Sequence, residues 1–199
     1  WSEEGDLNTA RRNLGGAGTQ TAGLVSGGLI TAVSGTTETY DGSSWTEVSD
    51  LNTARKAVAG GGTQTSALVF GGFITAVSDT SETYDGSSWT EGPNLATARR
   101  YLAGCGSDSA AVVGFGGGPS SSALTEEYNN SFQVVTAGAW SSGGNLNTAR
   151  FGVAGTGADQ EAAICISGYG PPDADIANVE IYDGTSWTEV ADVGSPRYR

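Results

Sequence analysis

The sequence predicts an all-β fold: a β-propeller of four-stranded antiparallel blades, with four full units and one leading outer strand. Three observations carry this. Trp recurs at 1, 45, 89, 140 and 187 and Arg at 11, 55, 99, 150 and 197, both series with spacings of 44, 44, 51 and 47. Two residue types in one register mark an internal repeat of blade length. Residues 7–50 and 51–94 are identical at 30 of 44 positions, so the repeat runs through whole units. Each unit breaks into short apolar or alternating runs between Gly, Asp and Ser turns, and none has the length or period of a helix.

The unit that begins at Arg55 shows the elements in order. Lys56 to Gly60, mostly small and apolar, reads as the first strand, and Gly61-Gly62-Thr63-Gln64-Thr65 as the turn after it. Ser66-Ala67-Leu68-Val69-Phe70 is a continuous apolar run closed by Gly71-Gly72, the pattern of a strand buried on both faces. A loop through Ala76 and Asp79 leads to the alternating strand Ser81-Glu82-Thr83-Tyr84. Asp85-Gly86 is a hairpin signal, because Gly accepts the positive φ of a tight turn. Ser88-Trp89-Thr90-Glu91 follows as the fourth strand. Small residues suit the crowded inner strand, and Tyr and Trp fill the outer strands where blades splay. A lone blade exposes two apolar faces, so units must stack.

The units span 11–50, 55–94, 99–145 and 150–192, and 1–6 reads as a fourth strand without its first three. That phase, with a start at Trp1 rather than Met, predicts a segment of a longer array or a ring completed by another copy.

Charge and composition narrow the function. Acidic residues number 22 against 9 basic, a net charge of −13, which argues against nucleic acid and against anionic membrane surfaces. No apolar run approaches a membrane span, so no membrane insertion is expected. There is no His, which removes imidazole metal ligands and any Ser-His-Asp triad. The Gly-rich stretches 60–62 and 114–118 lack the Lys-Ser/Thr and the helix of a phosphate loop.

Glu38, Glu82, Glu126 and Glu180 each lie two residues before the strand Tyr, and with the closing Arg they read as a repeated ion pair tying blades together. Asp41, Asp85 and Asp183, with Asn129 in the same place, read as turn residues. Cys105 and Cys165 occupy small apolar strand positions and read as free, buried thiols. We therefore expect no catalytic residue, no metal and no cofactor, and a protein that is not an enzyme. Binding falls to the loops after the double glycines, which differ most between units: 29–37, 73–81, 119–125 and 169–177. In them Phe73, Asp79, Tyr169, Asp173 and Asp175 are the candidate contacts, and Phe132 is added from the long hairpin of the third unit.

An apolar run into a double glycine, a Tyr, a Trp and a closing Arg resembles the kelch repeat. The matching residues are Gly27-Gly28, Tyr40, Trp45 and Arg55; Gly71-Gly72, Tyr84, Trp89 and Arg99; and Gly116-Gly117, Tyr128, Trp140 and Arg150. The last copy keeps Tyr182, Trp187 and Arg197 but has Ser167-Gly168 at the double glycine. The wording Leu51-Asn52-Thr53-Ala54-Arg55 and Tyr84-Asp85-Gly86-Ser87-Ser88-Trp89-Thr90 further resembles kelch-like arrays of marine bacteriophage virion proteins. That resemblance implies a tail-fibre or other appendage protein on a virion or extracellular surface. Its partners would be other copies of itself, other virion proteins, or a host-surface glycan or protein. The alternative is a cellular or secreted kelch-type module for protein–protein interaction.

Overall fold

The computed structural model describes residues 2–129, 139–171 and 174–196. The described residues form four antiparallel sheets of four strands, each in chain order from strand to strand. Blade 1 holds β1 (Gly15–Thr19), β2 (Ala22–Ser26), β3 (Thr37–Tyr40) and β4 (Trp45–Val48). Blade 2 holds β5 (Ala59–Thr63), β6 (Ser66–Phe70), β7 (Ser81–Tyr84) and β8 (Trp89–Gly92). Blade 3 holds β9 (Ala103–Asp108), β10 (Ala111–Phe115), β11 (Thr125–Asn129) and β12 (Ala139–Ser142). Blade 4 holds β13 (Ala154–Asp159), β14 (Ala162–Gly170), β15 (Ala174–Tyr182) and β16 (Trp187–Val190).

The sheets stand radially. Their first strands pack in order, β1 on β5, β5 on β9 and β9 on β13, and all four line one narrow channel. β13 makes no comparable packing with β1, so the blades form an arc about the channel. Glycine permits this crowding: a Cβ on Gly60 would lie 2.7 Å from the Gly16 carbonyl oxygen of the neighbouring blade.

In blade 2 the second and third strands fall where the apolar run and the alternation place them, but the first is shifted. Gly61, Gly62 and Thr63 are strand, not turn, because the chain bends earlier, at Ala57 (φ +55°). Ala57 N–H donates to Asn13 O of blade 1, and Lys56 exchanges both backbone bonds with Phe73. The Asp85-Gly86 hairpin is also larger than a two-residue turn. Tyr84 pairs with Trp89 across a loop of residues 85–88, in which Asp85 Oδ1 accepts the N–H groups of Ser87 and Ser88.

Residues 2–6, expected as an outer strand, carry no strand pairing among the described residues. They still lie against blade 1 as the end of β4 lies against blade 2: Trp45 Nε1 donates to Gly5 O and Trp89 Nε1 to Ser49 O, both at 3.0 Å. In blade 4 the segment 169–177, expected as a loop, largely extends the β14–β15 hairpin. Tyr169 pairs with Asp175 beyond an irregularity at Ile166/Gly168, where Ser167 takes positive φ (+59°) and donates to Ile176 O.

Apolar side chains from adjacent blades fill the wedges. Tyr40–Trp45, Tyr84–Trp89 and Tyr182–Trp187 stack within blades at 4.9–5.0 Å, with Tyr128–Trp140 at 5.4 Å. Phe70 of blade 2 meets Trp140 of blade 3 at 4.9 Å, and Phe115 of blade 3 meets Trp187 of blade 4 at 4.8 Å.

Candidate functional site

The charged residues of the repeat are engaged in holding each blade and its entry segment. Arg11–Glu38, Arg55–Glu82, Arg99–Glu126 and Arg150–Glu180 are buried ion pairs, the last three at 2.8, 2.8 and 2.6 Å. Each pair lies within one blade, which corrects the expectation that it bridges two. The second carboxylate oxygen accepts the N–H of Asn8, Asn52, Ala96 or Asn147 at 2.7 Å, pinning the strand that arrives from the preceding blade. Burial pushes the Glu38 carboxyl up, yet the Arg11 and backbone hydrogen bonds hold it below its ordinary value. Burial lowers Arg55 and Arg99 against the pull of their glutamates. Ties between blades run through backbone and indole. The carbonyls of Arg55, Arg99 and Arg150 accept the second double-glycine N–H of the preceding blade, from Gly28, Gly72 and Gly117. A Cβ on Gly27 would sit 2.6 Å from the Arg55 oxygen, which explains the double glycine. Arg197 lies outside the described residues.

Asp41, Asp85 and Asp183 cap their own turns; hydrogen bonds from the backbone N–H groups two and three residues on hold Asp41 and Asp85 at about 2. Cys105 and Cys165 are free, and burial pushes both thiols up to about 12, which makes them poor nucleophiles.

The surface with chemistry left over is one face. Antiparallel order puts the starts of the inner strands, the double glycines and the loops after them at the same end. There, at the axis, a cavity of about 490 Å3 is lined by equivalent pairs from the four blades: Asn13-Leu14, Ala57-Val58, Tyr101-Leu102 and Gly152-Val153. The first member of every pair has positive φ, 59°, 55°, 54° and 62° in turn. Each side chain forced into that region costs about 1–2 kcal/mol. The strain is offset by a relay of backbone bonds around the mouth, Ala57 to Asn13 O (2.7 Å), Tyr101 to Ala57 O (2.9 Å) and Gly152 to Tyr101 O (3.0 Å).

Arg12 also lines this cavity. It is the residue after the ion-paired Arg11, and Lys56 and Arg100 stand in the same place after Arg55 and Arg99. Among the described residues these three are the only basic side chains outside the four ion pairs, and none has a carboxylate within 4.0 Å. Lys56 Nζ lies 5.4 Å and the Arg100 guanidinium 5.3 Å from the Phe73 ring, and Arg100 is 5.6 Å from the Tyr101 ring. Blade 4 puts Phe151 in this place, stacked on Tyr169 at 5.4 Å.

Two of the sequence-derived candidates, Phe73 and Tyr169, are paired by backbone bridges with Lys56 and Phe151, the residues just before the cavity-lining Ala57 and Gly152. Asp79 is in the blade 2 loop, where its carbonyl accepts the Leu95 N–H, and Asp175 is exposed on the extended hairpin. Phe132 and Asp173 lie outside the described residues. The three cations escape a reading that follows one Arg per blade. The signal was the doublets Arg11-Arg12, Arg55-Lys56 and Arg99-Arg100, in which only one member can be the buried partner of Glu.

No protein-family model matches the sequence, and no curated protein does. Solved structures do match. The structure of YjhT, a kelch-repeat protein, superposes with a TM-score of 0.75 over 96% of this chain and 68% of its own, at 16% identity. At that identity the likeness concerns the fold: an all-β arc of four-stranded propeller blades, similar to that kelch-repeat protein.

Proposed function

We propose that the chain is a non-enzymatic recognition scaffold of a virion appendage or similar particle, displaying its loop face to a host-surface glycan or protein. One observation carries this reading: the repeated Arg, Glu, Tyr and Trp are all engaged in blade structure, while the loops after the double glycines, which differ between units, lie at the end of the blades that holds the axis mouth. A rigid sheet scaffold with variable loops is the usual geometry of recognition. The near-identity of the first two units and the phage-like wording support the virion placement.

The test is direct. Antibody to the chain should decorate purified virus particles, and labelled chain should bind bacterial cells or a glycan array. Neither decoration nor binding would overturn the reading. Recovery of the chain from cell extracts in a stable complex without particles would favour the kelch-type protein-interaction module instead.

A further inference from the structure

The geometry points to the axis mouth as a binding site for an anionic saccharide, one whose sugar rings carry sulfate or carboxylate groups. This deepens the recognition reading and rests on it. The chain is strongly acidic, yet among the described residues the three basic side chains outside the buried pairs, Arg12, Lys56 and Arg100, occupy one equivalent position in three successive blades, each directly before a residue that lines the cavity. The turn carboxylates Asp41 (β3–β4), Asp85 (β7–β8) and Asp183 (β15–β16) are at the opposite ends of the blades. A solubilising role would scatter cations over the surface; here each follows a buried Arg whose own charge is neutralised by Glu.

Aromatic surface stands beside the charge. Phe73 lies under both Lys56 and Arg100, Tyr101 under Arg100, and in blade 4 the Phe151–Tyr169 pair takes the equivalent place. Ring faces suit the apolar faces of sugars, and guanidinium and ammonium groups suit sulfate and carboxylate oxygens. The cations come from three blades, so they meet a ligand at several places rather than one ion at a point. A cavity of about 490 Å3 accommodates a sugar unit, with further units running out between the loops.

The experiment is titration of the 199-residue chain with a chondroitin sulfate hexasaccharide, an oligogalacturonate of equal length, neutral maltohexaose and inorganic sulfate. The first two arms separate sulfate from carboxylate. Binding of at least one charged oligosaccharide, with maltohexaose and free sulfate bound at least about tenfold more weakly, is expected. Arg12→Gln, Lys56→Gln and Arg100→Gln keep most of the stem and remove the charge. Each should weaken binding roughly tenfold, Lys56→Arg should retain it, and raising the salt should weaken it further. Circular dichroism and thermal melting should show all four variants folded, since none of the three cations is in an ion pair. Equal binding of maltohexaose, no binding of either charged oligosaccharide, or unchanged binding by the three Gln variants would overturn the inference. Cell binding that survives all three substitutions would overturn it too, while leaving recognition by the loop face standing. Charged-oligosaccharide binding without cell binding would do the reverse.

Discussion

At the residue scale, the buried Arg–Glu pairs show how a repeat holds its charge. Glu82 accepts from Arg55, Asn52 and Thr53 at once, so removing its charge leaves Arg55 buried without its partner. Glu82→Gln is expected to destabilise the protein by about 3–5 kcal/mol in urea unfolding, whereas the exposed Glu47→Gln should stay within about 0.5 kcal/mol. The turn aspartates have a different signature. Asp41 and Asp85 are lowered from 3.8 to about 2 by their Ser N–H bonds, so the stabilisation they give is complete above the ordinary carboxylate range and is lost as pH falls towards about 2. Carboxyl-carbon NMR titration should find both midpoints near 2; midpoints near 3.8 would mean that the turn bonds are absent in solution.

At the scale of elements, blades interlock by matched size. A Cβ on Gly114 of β10 would lie 2.5 Å from the Phe70 ring of β6, and one on Gly104 of β9 equally close. In the preceding pair of blades the equivalent positions are Ser26 and Val69, a small residue where the large one stood and a large one where glycine stood. Gly114→Val should therefore cost about 1–3 kcal/mol by overpacking and Phe70→Ser about 3–5 kcal/mol by loss of the buried ring. Combined, they should cost less than the sum, by a coupling of about 0.5–3 kcal/mol, because the second change makes room for the first. Additive losses in a double-mutant cycle of urea unfolding would show that the two side chains do not share a wedge.

At the scale of the molecule, the repeat distributes strain and charge around one axis. Four positive-φ positions and their backbone relay form the rim, and three of the four units add a cation just before it. The same stacking that places Gly60 against Gly16 brings the residues that follow these cations, Asn13, Ala57 and Tyr101, around one opening that Arg12 also lines. That is why the proposed recognition face and the proposed saccharide site coincide: both follow from blade equivalence rather than from any single loop.

Much of this was legible before any coordinates. Register of Trp and Arg gave the number of blades, the apolar run Ser66–Phe70 and the alternating Ser81–Tyr84 gave strands at their observed bounds, and side-chain size gave the inner and outer edges. These signals are local, because side-chain period and turn chemistry act over a few residues. The inner strand was misplaced because the glycines of 61–62 look like a turn until a neighbouring backbone is seen lying against them. The Glu series and its Arg pairing were recognised as structural, but its further partners, the entry-segment amides some 30 residues away, depend on how each blade receives the chain. Above all, Asn13, Ala57 and Tyr101, each directly after one of the cations Arg12, Lys56 and Arg100, are 44 residues apart in sequence and line one opening only because the blades turn about a common axis. Sequence alone determined what each blade is; packing about the axis decided which residues meet, since convergence is a property of rotation between units and no unit encodes it by itself.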